Sequence, residues 1–175
     1  MDLHLRDKHV LITGGSKGIG LACAQAFLQE GAKVTLVSRD TANLNAARQK
    51  LQGTFATDRI HTVAANLRDS AAALSALDSA ETTLGPVDVL VNSAGAAKRT
   101  PAPELTAEAF ADAMQAKYFT YIHMLTPTIQ RMAARGTGAV VNVVGNGGKV
   151  ASPIHLPGGA ANAALMLVSA GMAAA

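Results

Sequence analysis

The 175 residues suffice for one domain with a substantial core and are too few for two comfortable ones. Hydrophobic residues make up 49% and charged residues 15%, a balance that excludes a disordered, charge-dominated chain. The net charge of +3 comes from scattered Lys and Arg, with no dense run and no interleaved aromatics, so nucleic acid is not an expected partner.

Five short β-branched runs alternate with longer segments of helical spacing. HVLIT (9–13) is followed by a glycine run and a helix over about 18–30, and KVTLVS (33–38) by a helix over 41–52. IHTVAA (60–65) leads into 69–83, VDVLVN (87–92) into 104–134, and AVVNVV (139–144) into a last helix over 159–174. Strands that are near-continuously apolar and separated by helices predict a parallel sheet covered on both faces. Right-handed crossovers then give a doubly wound, Rossmann-type α/β fold, expected as a single domain over 1–175. Pro127 should bend or interrupt the segment 104–134, making it one long helix or two. Cys23 is the only cysteine, so no intrachain disulfide can form. The N-terminal MDLHLRDKHVLIT carries no apolar signal segment, and no stretch is expected to span a membrane. The cytoplasm is the expected location, and no metal site is expected.

The run TGGSKGIG (13–20) stands between the first strand and the first helix. Each of its spaced glycines has a physical task. Gly14 permits the tight turn off the strand, Gly18 lets phosphate oxygens approach the backbone, and Gly20 lets the helix lie close to the sheet. Unpaired N–H groups and the positive end of the helix dipole then face a pyrophosphate.

This TGxxxGxG pattern resembles the signature of the short-chain dehydrogenase/reductase family. VDVLVNSAG (87–95) resembles that family's DxLVNNAG, with Asn92, Ala94 and Gly95 matching and Ser93 departing. The resemblance continues through GAVVNVVGNGG and implies a nicotinamide dinucleotide cofactor and a small carbonyl or alcohol substrate. It implies cofactor contacts from Gly14, Ser16, Lys17, Gly18, Ile19 and Gly20, and from Asn92, Ala94 and Gly95.

The end of the second strand bears on the choice of dinucleotide. An acidic residue there would bind ribose hydroxyls and repel a 2′-phosphate. Here the strand ends LVSRD, with Ser38 near that position and Arg39 after it, while Lys17 adds a second cation. Arg can hold a phosphate in a fork and Lys adds a point charge, so NADP(H) is favoured over NAD(H). Asp40 is the contrary signal, but before ANLNAARQK it reads as a helix N-cap. Asn66 and Leu67 stand where the family commonly contacts the adenine amine, and an Asn carbonyl can accept that bond; the other reading is a plain strand-end turn.

The family protonates its substrate through a Ser, a Tyr and a Lys one helical turn after the Tyr, with an Asn in the fourth helix completing a relay. Anchored on VNVVGNGG, the resemblance puts Gly145 at the Ser position, Gly158 at the Tyr position and Asn162 at the Lys position. Lys117 takes the place of the relay Asn. Lys117 shares a helical stripe with Phe110, Ala113, Met114, Tyr121 and Met124. It either snorkels to solvent or places its ammonium near the vacated site, where it binds the nicotinamide ribose or protonates substrate. His155 is the other candidate acid, or a loop histidine without a role. Asn162 can still hydrogen-bond the ribose.

Three functions follow: an NADP(H)-dependent oxidoreductase with a non-standard site, a silent NADP(H)-binding module, and an incomplete fold with an interaction role. The chain stops inside LVSAGMAAA, where the resemblance implies two further strands. It is read either as a fragment or as a surface completed by another chain. The resemblance implies a homodimer or homotetramer, with YIHML and ALMLVSAGMAAA as candidate interface runs.

Overall fold

The computed structural model describes residues 2–174; Met1 and Ala175, the outermost residues of the two terminal runs read above, lie outside it. Five strands form one parallel sheet: β1 (His9–Thr13), β2 (Lys33–Ser38), β3 (Ile60–Ala64), β4 (Val89–Asn92) and β5 (Ala139–Asn142). Their order is β3-β2-β1-β4-β5, with β1 pairing β2 on one side and β4 on the other. The chain therefore changes direction across the sheet at β1, and a crevice opens outside the carboxyl ends of β1 and β4.

Alternation of side chains along the strands feeds two apolar layers. Val10, Ile12, Val34 and Leu36 pack with Ala24 and Leu28 of α1 (Gly18–Gln29) and Leu44 and Leu51 of α2 (Thr41–Gln52). Leu11, Val37 and Leu90 pack with Leu77 of α3 (Ser70–Leu84) and Met124 and Leu125 of α5 (Thr120–Arg135). Every residue of β1 is buried, which explains why Val10, Leu11 and Ile12 are apolar in succession rather than alternating with polar residues. Each fully buried aliphatic side chain contributes about 1.5–3 kcal/mol.

Helix starts follow local chemistry. The Asp40 carboxylate accepts from the Asn43 N–H at 2.8 Å, as the N-cap reading requires, and Asp69 accepts from the N–H groups of Ala71 and Ala72. α5 ends at Gly136, whose φ of +68° closes the helix in the left-handed region.

The segment expected at 104–134 differs from expectation in where it breaks. α4 (Ala107–Ala113) passes through a wide π turn (Met114–Phe119) into α5, and Pro127 lies inside α5 without interrupting it. Proline deletes a single helix bond there, and the neighbouring Thr128 hydroxyl donates to the Met124 carbonyl at 2.7 Å. β4 starts two residues later than expected, its first rung being Val10–Val89, and β5 ends two residues earlier, where β1 turns away at Gly14 and Thr13–Asn92 and Asn92–Asn142 are the last rungs.

The last helix, α6 (Leu156–Ala174), starts three residues before the expected 159, since Pro157 fits a first helical turn. That extension corrects the expectation about membrane-spanning length. At 19 residues without a charge, α6 is long and apolar enough to cross a membrane by length and composition alone. Its buried side, Ala161, Asn162 and Leu165, packs into the fold. β5 forms the sheet edge, with Val141 49% exposed.

Candidate functional site

A cleft of about 480 Å³ lies at the carboxyl ends of the central strands, bordered by Gly14, Ser38, Ala65, Leu67, Ala94 and Gly95. A larger apolar groove of about 850 Å³ runs between α5, β5 and α6 at the sheet edge, away from the glycine turn. The chemistry-bearing residues gather at the smaller one.

The glycine turn is built for close approach. Gly14 has φ +67°, and a β-carbon there would lie 2.9 Å from the Ala94 Cα. Gly20 is buried, and a β-carbon on it would overlap the Gly14 carbonyl oxygen. Gly18 differs: at φ +53° nothing lies within 4 Å of a β-carbon, so its face is open. The turn is closed tightly inside and bare outside. Ser16 is buried and donates its hydroxyl to Ser38 at 3.0 Å, stitching the turn to the end of β2. Ile19 is 61% exposed.

Three cations border this cleft: Lys17, Arg39 and Arg68. Among the described residues none of them joins an ion pair. The nearby Asp40 is committed to capping α2. Arg68 was not singled out in the sequence, although it follows Asn66 by two positions in the same run. Asn66 is exposed, and its side-chain oxygen accepts from the Arg68 N–H at 3.3 Å. Leu67 is buried, and its carbonyl accepts at 3.0 Å from Nδ1 of His123, which must therefore carry the proton there.

Beyond β4, the Thr13 hydroxyl organises the turn. It donates to the Asn92 side-chain oxygen at 3.2 Å and accepts from the N–H groups of Ser93 and Ala94 at 3.1 and 3.2 Å. Asn92 is fully buried and donates to Asn142 at 3.0 Å, so its side chain ties β1, β4 and β5 together rather than facing the cleft. Gly95 abuts the π turn: a β-carbon there would lie 3.2 Å from the Lys117 Cα and would overlap the Ala116 carbonyl. Ala116 and Thr120 reach the cleft wall through this contact, which sequence spacing did not reveal.

Lys117 points towards the end of β5. Its ammonium lies 3.4 Å from both the Tyr121 hydroxyl and the Val143 carbonyl, and 4.9 Å above the Tyr121 ring. Burial holds the ammonium pKa below the ordinary lysine range and pushes the Tyr121 phenol above its own.

The segment after β5 meets the start of α6 almost backbone to backbone. The Gly145 N–H donates to the Asn162 side-chain oxygen at 3.1 Å. A β-carbon on Gly148 would lie 2.8 Å from the Ala163 nitrogen, and one on Gly159 would lie 2.8 Å from the Gly147 carbonyl. His155 sits against Gly158, where a β-carbon would overlap the imidazole. The structure thus gathers the glycine turn, Ser38, Arg39, Asn66, Leu67, Ala94 and Gly95 around one cleft. Lys117, His155 and Asn162 form a second group at the end of β5 and the start of α6.

A model of the short chain dehydrogenase family matches residues 8–175. The chain is 30% identical over 173 residues to the uncharacterized oxidoreductase YvrD of Bacillus subtilis (strain 168), covering 99% of this chain and 64% of that protein. It is 38% identical over 144 residues to Homo sapiens L-xylulose reductase, covering 82% of this chain and 55% of that protein. Among solved structures, it matches the NADPH-bound short chain oxidoreductase of Pseudomonas aeruginosa PAO1, which contains an atypical catalytic center. The TM-score there is 0.87 at 30% identity, over 93% of this chain and 63% of that one. The chain spans less than two thirds of the length of each of these proteins. Its glycine turn, its sheet order and the match over residues 8–175 together make it a member of the short chain dehydrogenase family.

Proposed function

We propose that this chain binds NADP(H) in the cleft outside β1 and β4 and serves an oxidoreductase reaction between a small carbonyl compound and its alcohol. The observation that carries the reading is the glycine turn, closed inside by the Gly14–Gly20 contact and open outside at Gly18. A β-carbon at Gly18 would project into the space that a pyrophosphate needs, and the α1 amides beside it offer unpaired donors to an anion.

In this reading Lys17, Arg39 and Arg68 hold a 2′-phosphate, which favours NADP(H) over NAD(H). Asn66 and Leu67 border the adenine, and Ala94 and Gly95 form the floor. Asn162 and Lys117 serve the nicotinamide ribose. The bound cofactor supplies or accepts the hydride. The positions that the family resemblance assigns to Ser, Tyr and Lys are Gly145, Gly158 and Asn162 here, so the proton has to come from a non-standard group. Lys117 and His155 are the candidates.

Fluorescence titration with NADPH and NADH tests the reading. Binding of NADPH at lower concentration than NADH is expected, and failure of both to bind at millimolar concentration overturns it. Hydride transfer is then assayed with a panel headed by keto-sugars, since one relative is L-xylulose reductase. The absence of side chains at Gly145 and Gly158 favours a second reading, a silent NADP(H)-binding module. That reading takes over if NADPH binds and no carbonyl in the panel is reduced.

A further inference from the structure

We propose that the imidazole of His155 occupies the space vacated by the missing side chain at Gly158 and there binds and protonates the oxygen of a carbonyl substrate. The inference rests on the NADP(H)-linked reading above and names the proton donor that this reading leaves open.

A β-carbon built on Gly158 would overlap Nε2 and Cε1 of His155 and lie 2.9 Å from the Ala97 Cβ. The imidazole therefore stands where a side chain from position 158 would leave the helix. A residue three positions earlier in the chain has filled the gap, and it carries a group able to hold a proton. Ala97 follows Ala96, which lines the cofactor cleft. The Thr100 N–H donates to the Ile154 carbonyl at 3.1 Å, tying the segment after β4 to the residue before His155.

The His155 backbone is bonded on both sides. Its N–H donates to Ser152 at 2.9 Å, and its carbonyl accepts from the Gly159 N–H at 2.8 Å. The ring is thus presented on an anchored backbone rather than a loose loop. Ring carbon Cδ2 lies 3.8 Å from where a Gly147 β-carbon would be, so two glycines and an alanine border it.

Nδ1 of His155 is buried and has no hydrogen-bond partner, a distinction it holds alone among the buried side-chain nitrogens and oxygens of the described residues. Native structures leave few such atoms without a partner, and ligand-dependent sites are one recurrent reason. An imidazole with one nitrogen unpaired is free to take either tautomer, or both protons, when a ligand oxygen arrives. Lys117 lacks this freedom, because its ammonium is already held by the Val143 carbonyl and the Tyr121 hydroxyl. In the reading above its part is to serve the nicotinamide ribose.

The carbonyl carbon accepts a hydride from NADPH, the C=O π pair moves to oxygen, and that oxygen takes the N–H proton of the His155 imidazolium. The products are the alcohol, NADP+ and neutral imidazole, which regains its proton from solvent. A positioned general acid of this kind accelerates a reaction by about 10² to 10⁴.

Two measurements test the assignment apart from the cofactor reading. His155→Phe keeps a ring in the space and removes both nitrogens. It should bind NADPH as the unaltered protein does and lose about 10²-fold or more in carbonyl reduction. The second measurement needs no turnover or variant fold: imidazole nitrogen resonances of the unaltered protein, loaded with NADP+, are followed as cyclohexanone is added. That pair cannot react, so a shift of the His155 signals reports contact alone, and a shift is expected. Unchanged reduction in His155→Phe overturns the proposal, and so do His155 resonances that stay still in NADP+-loaded protein. Failure to bind NADPH at all is read in the titration above and overturns the cofactor reading itself.

Discussion

The Lys117 ammonium and the Tyr121 hydroxyl lie 3.4 Å apart, and both donate to one acceptor, the Val143 carbonyl at the end of β5. The Tyr121 bond is the shorter at 2.7 Å. One acceptor therefore serves two donors, and only the weaker bond depends on the lysine.

Lys117→Met is expected to raise the thermal midpoint at pH 7, because a partly buried charge is removed while Val143 keeps Tyr121 as its donor. Burial lowers the folded-state pKa of Lys117, so the unfolded chain holds the extra proton between that value and about 10.4. Stability of the unaltered protein therefore rises with pH through that window, and the rise should flatten in the variant. NADPH affinity should fall even as stability rises. A lowered midpoint in calorimetry would refute the account.

Gly20→Ala and Gly18→Ala should separate packing from ligand approach. A β-carbon at Gly20 meets the Gly14 carbonyl, so Gly20→Ala should lose about 1–3 kcal/mol in denaturant titrations without any ligand. Gly18 has open space, so Gly18→Ala carries only the cost of its left-handed backbone, about 1–2 kcal/mol. Its larger effect should be on NADPH binding, by tenfold or more, about 1.4 kcal/mol or above. Equal stability and equal NADPH affinity in the two variants would rule out this division.

Arg39→Ala should weaken NADPH by about tenfold and leave NADH within about twofold, with the NADPH effect shrinking as salt is raised. Arg68→Ala should act in the same direction, since Arg68 borders the same cleft. Parallel losses for NADPH and NADH would mean that these cations do not read the 2′-phosphate.

His9 carries the acid sensitivity of the fold. Its Nδ1 donates to the Gly85 carbonyl at 2.6 Å, which leaves Nε2 to accept from the Thr35 hydroxyl at 2.9 Å. Burial holds the His9 pKa below its ordinary value, the Gly85 bond and the Asp88 and Glu81 carboxylates opposing in part. Burial, with Arg48 nearby, acts on His61 in the same direction. The unfolded chain therefore takes up protons at higher pH than the folded one. Stability should be complete above about pH 6.5 and fall as pH drops from there towards the folded values. Denaturant midpoints between pH 7.5 and 5 check this, and His9→Gln should flatten the slope. A pH-independent midpoint in the unaltered protein would show the linkage to be absent.

Much of the scaffold is legible in local sequence. HVLIT and KVTLVS are rich in β-branched residues, and β1 and β2 begin and end where those runs do. Asp40 precedes a helical run without an acidic first turn, and it caps that helix. The turn at Gly14 and the Gly14–Gly20 contact are legible because they concern backbone within a few residues, whereas the approach of Ala94 to Gly14 spans eighty positions. The break at Met114–Phe119 was not legible, because Pro127 is the louder local signal and the π turn answers to Gly95, about twenty residues earlier and across the site. Arg68 is not legible in the sequence, because an isolated arginine after a strand has no distinguishing neighbours until the cleft brings Lys17 and Arg39 to the same border.

The sequence by itself determined the periodicities, the glycine turn and the identity of the residues at 145, 158 and 162, since these depend on short-range backbone chemistry. Only the tertiary structure decided what stands in the gap at Gly158. The His155 ring enters it because α6 starts at Leu156 and glycine backbones let the preceding segment pack against the helix. It likewise decided that Lys117 meets Val143 and that Asn92 joins three strands, because those contacts span tens of residues and exist only once the sheet has assembled.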